Sequence, residues 1–219
     1  MDAWKPDLVI FDCDGVLVDS ELLSCQCLSE ALDECGIALS LEQALQLFLG
    51  RSATAVRQYY RERGQFIPET FLAGLKTRVL QRFRLSLQPM PGIGSLVSDL
   101  QTPFCVASSS DLDRVSLSLA LTGLAPYFGN RIYTSRMVAH GKPAPDLFLH
   151  AAARMQTAPA RTLVVEDSVS GVTAAKAAGM TVWGFVGGSH HRLHDGRSML
   201  CDAGADRVFD RMADFWNEG

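Results

Sequence analysis

The sequence predicts an α/β fold built on a doubly wound, mostly parallel sheet. Short runs rich in Val, Ile, Phe and Leu recur along the 219 residues, and helix-like segments separate them. The runs are continuous rather than alternating, which is typical of strands that helices cover on both faces. Helices between parallel strands are expected to form right-handed crossovers. Five strands are predicted, at residues 8–11, 103–108, 130–135, 162–167 and 181–186.

One long interval breaks this alternation, because it contains amphipathic helices and no convincing strand. The apolar residues from Leu28 to Cys35 recur at helical spacing, and Gly36 is expected to end that helix. Ser40 and Gln43 match a capping box at the start of the next helix. Two further helices are predicted, at residues 53–63 and 68–87.

The interval therefore predicts an inserted all-helical cap domain at residues 21–89. The core domain would consist of residues 1–20 and 90–219. The prolines of "QPMPG" favour an extended connection from the cap back to the sheet. Because both connections would lie close together, the insertion has the form of a lid that swings.

The charge and hydropathy of the chain exclude two classes of partner. Its formal net charge is -4 without a basic tract, so neither a nucleic acid nor an anionic membrane surface is expected to bind. No apolar run approaches the roughly 20 residues of a membrane helix, and the N-terminus lacks the pattern of a signal peptide. A cytoplasmic protein, monomeric or weakly homo-oligomeric, is expected. Its six cysteines form no CxxC pair and are predicted to be reduced and mostly buried.

Polar side chains follow four of the predicted strands, where each strand ends. In an open parallel sheet these ends meet at one crevice, which is where ligands bind. The side chains expected to converge there are Asp12 and Asp14 after the first strand, Ser108 and Ser109 at the second, Lys142 after the third, and Glu166 and Asp167 at the fourth.

Those residue types together indicate phosphoryl transfer. Several close carboxylates need a hard cation, and oxygen ligands favour Mg²⁺ over zinc. A carboxylate beside the metal can attack an electrophile, and a phosphoryl group suits a site that also contains Ser and Lys. Lys142 would neutralise charge on the transferring oxygens, and Ser108 would donate a hydrogen bond to them.

The motifs "FDCDGVLVDSE", "VASSS", "GKPAPD" and "VVEDSVSGV" occur in the order typical of the haloacid dehalogenase (HAD) superfamily of phosphohydrolases, which the whole chain resembles. The resemblance implies a Rossmann-like core with a helical cap. It also implies roles for individual residues: nucleophile for Asp12; general acid and then base for Asp14; phosphate binding for Ser108, Ser109 and Lys142; and Mg²⁺ binding by Asp12, the Asp14 carbonyl and Asp167, with Glu166 acting through water.

Asp14 must hold a proton to assist a leaving alkoxide. Neighbouring carboxylates and burial under the cap are expected to raise its pKa. Ser109 and Ser110 fit either phosphate contacts or capping of the next helix. Asp19 and Ser20 are interpreted as helix caps, with a hinge role as the alternative.

The expected substrate is a small phosphorylated metabolite, a sugar phosphate or sugar-acid phosphate. A lid of about 70 residues can close over such a molecule but would obstruct a phosphoprotein. The motifs are most similar to those of the bacterial 6-phosphogluconate phosphatase and β-phosphoglucomutase-like group. Arg51, in the cap, is a candidate ligand for a substrate carboxylate or phosphate, although a surface role is equally compatible.

Two other functions stay open. A β-phosphoglucomutase-like enzyme shares the catalytic frame, but that group has a histidine at the position of Ser24. A non-catalytic phospho-switch would retain its aspartyl-phosphate for much longer than a turnover time. The histidines His190, His191 and His194 invite a zinc hypothesis, but without a second ligand cluster a solvated loop is the preferred interpretation.

Overall fold

A computed structural model describes residues 4–49, 53–193 and 195–216. It contains a six-stranded sheet in which all paired neighbours are parallel, in the order β3-β2-β1-β4-β5-β6. The predicted α/β class is confirmed. The strands are β1 Leu8–Phe11, β2 Phe104–Ser108, β3 Ile132–Thr134, β4 Thr162–Glu166, β5 Thr181–Phe185 and β6 Arg207–Phe209.

Strand β1 lies between β2 and β4, so the chain winds outwards in both directions from its carboxyl end. That point is the topological switch at which open α/β sheets bind ligands. The sequence prediction found five of these strands and missed the edge strand β6. Its residues Arg207–Phe209 stand between Asp206 and Asp210, so no apolar run is recognisable there.

Four consecutive helices occupy the interval after β1, and we call them the cap helices. They are α1 Glu21–Asp33, α2 Leu41–Phe48, α3 Ala53–Glu62 and α4 Phe71–Ser86. The predicted capping box at the start of α2 is present, because Ser40 and Gln43 exchange hydrogen bonds. The other α-helices are α5 Ile93–Asp99, α6 Leu112–Leu121, α7 Ala125–Phe128, α8 Asp146–Arg154, α9 Val169–Ala177 and α10 Gly196–Asp202.

Two apolar clusters cover the faces of the sheet, and β1 contributes to both. Val9 and Phe11 belong to one cluster, whereas Leu8 and Ile10 belong to the other. This division follows from the period of two along a strand. The first cluster continues into the cap helices through residues such as Leu28 and Phe83. All four β1 side chains are fully buried, so the continuous apolar run is explained.

None of the described helices has the length and apolar character needed to cross a lipid bilayer. The six cysteines are free, and four of them are buried, as predicted: Cys13, Cys25, Cys27 and Cys105.

Candidate active site

The side chains predicted at the strand ends lie around one cavity of about 580 Å³. It opens between the carboxyl edge of the sheet and cap helices α1 and α4. Seven predicted residues line it: Asp12, Asp14, Ser108, Ser109, Lys142, Glu166 and Asp167. Arg51 and His194 lie outside the described residues.

Lys142 links two of the carboxylates. Its Nζ lies 2.5 Å from Asp12 Oδ1, and it also donates to Glu166 Oε1 and, over 3.1 Å, to the Ala107 carbonyl. Its side chain is 2% exposed. Burial opposes the charged form, but Asp12 and Glu166 raise the pKa of Lys142 above its usual value. Lys142 is therefore a fixed cation beside Asp12.

Asp12 and Asp167 carry more buried negative charge than Lys142 compensates. Burial raises the pKa of Asp12 well above its usual range, and Glu166, Asp167 and Asp14 add to this rise although Lys142 opposes it. Burial and the Glu166 charge raise the pKa of Asp167 in the same way. A set of buried carboxylate oxygens with excess negative charge fits a hard divalent cation such as Mg²⁺.

This charge imbalance predicts the effect of metal on stability. A carboxyl whose folded pKa is raised stabilises the fold at low pH, and this contribution is lost as the pH rises through the raised pKa. Without metal, the contributions of Asp12 and Asp167 to stability should therefore fall with rising pH. Mg²⁺ should raise the unfolding temperature more at high pH than at low pH, as measured by calorimetry with and without chelator.

The control for that experiment is Asp167→Asn, which removes one of the two charges. Its metal-free form should lose less stability with rising pH than the metal-free parent protein. An equal Mg²⁺ effect at every pH would contradict the assignment of excess charge to these carboxylates.

Glu166 is held by the start of helix α9. Its Oε2 accepts hydrogen bonds from the backbone N–H groups of Asp167 and Ser168, each at 3.1 Å, and from Ser168 Oγ at 3.0 Å. Ser168 Oγ also caps α9 by accepting from the Gly171 N–H. With Lys142 on its other oxygen, Glu166 is saturated with hydrogen bonds. Glu166 is therefore suited to orienting Lys142 and Asp167.

Gly171 leaves the space that Glu166 occupies. A Cβ at Gly171 would lie 1.9 Å from Glu166 Cδ. Gly171→Ala should displace the Glu166 carboxylate and destabilise the protein by about 1–3 kcal/mol, as overpacking does in a dense interior. The expected result is a lower midpoint in chemical unfolding and a loss of activity.

Gly74→Ala is the matched control, because Gly74 lies in helix α4 and, apart from the helix's own backbone, no atom lies within 4 Å of the added Cβ. That change should leave activity intact and preserve or raise stability. If Gly171→Ala and Gly74→Ala behaved alike, the tight packing at Glu166 would be refuted.

Asp167 lies against the loop that carries Asp14. A Cβ at Gly15 would be 1.8 Å from Asp167 Oδ2, and Gly15 has a φ of +78° that favours glycine. Asp167 Oδ2 also lies 3.1 Å from His190 Nε2. Asp167 is thus fixed between the first motif and the segment after β5.

The segment Ser189–Leu193 is a short 3₁₀ helix, so the prediction of a solvated histidine loop is wrong. His190 is completely buried, and His191 packs against it with ring centroids 4.0 Å apart. The ring of His191 lies against Gly196, where a Cβ would be 1.9 Å from Nδ1. Asp167, His190 and His191 offer ligand atoms within 4.8 Å of one another. His190 therefore contacts the site through Asp167, and His191 packs against His190.

Asp14 is bound by three donors from separate segments. Ser20 Oγ and Arg114 Nη2 each lie 2.6 Å from its Oδ1, and Ser110 Oγ lies 2.6 Å from its Oδ2. Burial acts to raise the pKa of Asp14, but Arg114 and the two serines outweigh it and lower the pKa. The predicted upward shift is therefore wrong for this arrangement of the site.

The bond from Ser20 also corrects its interpretation as a helix cap. Ser20 occupies the N-cap position of α1 but makes no side-chain capping bond there. Asp19 accepts instead from the backbone N–H and the Oγ of Ser189, at 3.1 and 2.8 Å. Ser20 and Asp19 therefore join the segment before α1 to Asp14 and to the 3₁₀ segment after β5.

The three serines at the end of β2 have different environments. Ser108 is buried, and its Oγ accepts from the Ser110 N–H at 3.1 Å. Ser109 lines the cavity, and its carbonyl accepts from Ser135. Ser110 binds Asp14 and does not cap α6. Sequence reasoning missed Arg114 and the Ser110 contact, because neither has a spacing signal that points to Asp14.

Comparison with known proteins identifies the relatives of this chain. A family profile described as haloacid dehalogenase-like hydrolase matches residues 6–179. The chain is 29% identical to a 6-phosphogluconate phosphatase of Escherichia coli over 85% of both proteins. It is 33% identical to the fructose-1-phosphate phosphatase YqaB of the same bacterium, over 78% of this chain and 92% of that protein.

Solved structures have the same fold over nearly the whole chain. A haloacid dehalogenase-like protein from Agrobacterium tumefaciens is 39% identical, with a TM-score of 0.82 and 95% of both chains covered. A family hydrolase from Deinococcus radiodurans, crystallised with phosphate and sodium, is 34% identical (TM-score 0.78; 97% of this chain, 94% of that one). A β-phosphoglucomutase-like protein from Thermotoga maritima is 26% identical (TM-score 0.74; 96% of both).

Proposed function

Because this chain belongs to the haloacid dehalogenase-like hydrolases and is a phosphatase of phosphorylated metabolites, we propose that it hydrolyses small sugar phosphates or sugar-acid phosphates through a phosphorylated Asp12, with Mg²⁺. The observation that carries this proposal is the buried contact of Lys142 with Asp12 at the topological switch point. Through this contact Lys142 holds the Asp12 carboxylate at the point of the sheet where ligands bind.

In the first step, an Asp12 carboxylate oxygen attacks phosphorus. An Asp12 O–P bond forms while the bond from phosphorus to the leaving oxygen breaks, and Asp14 gives that oxygen a proton. Lys142 holds Asp12 Oδ1, which orients the carboxylate, and its charge favours the negative phosphoryl oxygens. Ser108 and Ser109 would bind the phosphoryl group from the end of β2.

In the second step, water attacks the same phosphorus. Asp14 takes a proton from the water, the Asp12 O–P bond breaks, and phosphate and the free Asp12 carboxylate result. Arg114 and the two serines lower the pKa of Asp14, which favours the ionised carboxylate that this step requires. For the first step it must carry a proton on Oδ2, so the bond from Ser110 must give way when substrate enters, while Ser20 and Arg114 keep their bonds to Oδ1.

Asp12, the Asp14 carbonyl and Asp167 would hold Mg²⁺, with Glu166 orienting their surroundings. The ion would supply positive charge to the phosphoryl oxygens. Proximity supports this assignment, since Asp167 lies against the Gly15 backbone next to Asp14.

The size of the cavity supports a small substrate. Its volume of about 580 Å³ fits one metabolite, and residues of α1 and α4 form its far wall. Two relatives named for phosphorylated carbohydrates or sugar acids support this class, and 6-phosphogluconate is our specific proposal.

The mutase alternative is supported by the β-phosphoglucomutase-like neighbour from Thermotoga maritima. At the position where that group has a histidine, this chain has Ser24. Ser24 Oγ lies 3.0 Å from Arg114 and supplies no imidazole. Without that base, return of the phosphoryl group to a sugar hydroxyl is disfavoured, so hydrolysis remains the main proposal.

A panel of phosphorylated metabolites tests the proposed function. With Mg²⁺, kcat/KM for phosphate release should be highest for small sugar or sugar-acid phosphates, including 6-phosphogluconate and fructose 1-phosphate. Conversion of β-glucose 1-phosphate to glucose 6-phosphate without release of phosphate would indicate a mutase. A stable phosphorylated protein without turnover of any compound would indicate a phospho-switch and refute the proposal.

A further inference from the structure

Arg114 bridges the first motif and the cap helices. It lies in the first turn of α6, where its Nη2 is 2.6 Å from Asp14 Oδ1 and 3.0 Å from Ser24 Oγ. Its guanidinium carbon lies 4.9 Å from the centre of the Phe83 ring. Ser24 belongs to α1 and Phe83 to α4, so one side chain of the core contacts Asp14 and two cap helices.

The surroundings of Arg114 stabilise its charged form and hold its side chain in position. Burial acts against the charged guanidinium, but Asp14 and Glu21 raise the pKa of Arg114. Its side chain is 22% exposed. A planar guanidinium can stack on an aromatic ring while its edge donates hydrogen bonds, which a lysine ammonium cannot do.

We propose that Arg114 is a positioning residue that orients the Asp14 carboxylate and makes this orientation depend on the cap helices. The inference rests on the proposed function, in which Asp14 transfers the proton. Ser24 and Phe83 support the guanidinium from the cap side, and Asp14 receives one of its two Oδ1 hydrogen bonds from it. When α1 and α4 move away, Arg114 loses both supports, and Asp14 is oriented less firmly, by its bonds to Ser20 and Ser110.

This dependence would tie proton transfer to coverage of the cavity. An Asp14 that is correctly oriented only under the cap helices would act mainly when a substrate fills the space between the cap and the sheet. In an uncovered cavity, Asp14 would then be poorly oriented to exchange a proton with water. The cap would thus influence the rate as well as the choice of substrate.

The test uses Arg114→Met, which keeps an unbranched side chain and removes the charge, and compares two esters. A sugar phosphate needs a proton on its leaving oxygen, whereas p-nitrophenyl phosphate has a stable leaving group and needs little help. We expect kcat/KM to fall about 100-fold for the sugar phosphate and only a few-fold for the aryl phosphate, since general acid catalysis contributes at least that factor. This parameter reports on the first chemical step.

Two variants sharpen the comparison. Ser24→Ala should show the same bias towards the aryl ester with a smaller loss, because Arg114 keeps its bond to Asp14. Arg114→Lys retains the charge but not the planar group, so it should recover only part of the sugar-phosphate rate. If Arg114→Met fails to fold, Ser24→Ala carries the test.

Arg78→Met is the matched control. Arg78, on α4, forms ion pairs with Glu34 at 2.6 Å and Glu30 at 3.3 Å, both in the region of α1. It therefore links two cap helices without touching Asp14 or lining the cavity. Its loss should change kcat/KM for both esters by the same factor.

An equal loss for both esters in Arg114→Met would mean that Arg114 binds phosphate or only supports the fold, and would overturn the proposal. An unchanged sugar-phosphate rate would also overturn it.

A stability measurement tests the contact independently of the proposed function. The shifts of unfolding midpoint in Arg114→Met and Asp14→Asn should be non-additive in the double variant, whatever the enzyme's activity. Additive shifts would refute the contact itself.

Discussion

Asp12→Asn should abolish Mg²⁺-dependent hydrolysis of p-nitrophenyl phosphate, with a loss in kcat of more than about 10⁴-fold, as removal of a nucleophile causes in other enzymes. The physical reason is that an amide cannot form the Asp12 O–P bond. The fold should survive, because burial already raises the pKa of Asp12 and the neutral amide avoids the cost of a buried charge. Phosphate release and the unfolding temperature are the two measurements.

Asp7→Asn provides a control with the same chemical change. Asp7 is exposed and pairs with Arg161 at 2.8 Å, away from the cavity. It should retain full activity. If Asp12→Asn kept activity near that of this control, Asp12 would not be the nucleophile.

Asp14→Asn should reduce kcat for a sugar phosphate by about 10²- to 10⁴-fold, the usual contribution of general acid–base catalysis. Its Mg²⁺ affinity should change little, since the proposed metal contact at this position is the backbone carbonyl. The amide oxygen can still accept from Ser20 or Arg114, so the loop should keep its shape. Steady-state kinetics at several Mg²⁺ concentrations separate the two effects.

A collapse of Mg²⁺ affinity with a normal kcat at saturating metal would contradict this assignment. It would mean that the Asp14 side chain binds the metal instead of moving a proton. Ser116→Ala, an exposed change in α6, is a suitable control and should leave both quantities unaltered.

The convergence of the four motifs could be predicted from the sequence for a simple geometric reason. The ends of parallel strands meet at one edge, so residues directly after β1, β2 and β4 must lie near one another. Lys142 reaches the same place from the segment after β3, as its contact with Asp12 shows. The positions of the motifs directly after predicted parallel strands were therefore enough to predict that they converge.

The environment of Asp14 could not be predicted in the same way. Its donors come from the cap connection, the end of β2 and helix α6, which only the tertiary fold brings together. The neighbouring carboxylates were visible in the sequence and suggested a raised pKa. Arg114 was one of many scattered arginines, so the direction of the shift was misjudged.

The histidine segment shows a related limit. Its polar composition favoured a solvated loop, yet His190 is buried against Asp167. The surrounding glycines explain the difference, because a Cβ at Gly188 would be 2.6 Å from the His190 ring and one at Gly196 would be 1.9 Å from the His191 ring. Composition alone does not show that backbone will pack so closely on a side chain.

The central claim is that a phosphoryl group passes through Asp12, and trapping that group tests it most directly. In Asp14→Asn, hydrolysis of the phosphorylated Asp12 should be slow, so this intermediate should accumulate after mixing with Mg²⁺ and p-nitrophenyl phosphate. Rapid quenching should then trap it. Mass spectrometry of the quenched protein should then find one added phosphoryl group on the peptide that contains Asp12. A phosphoryl group on another residue, or steady release of phosphate by a protein that never carries one, would contradict the account.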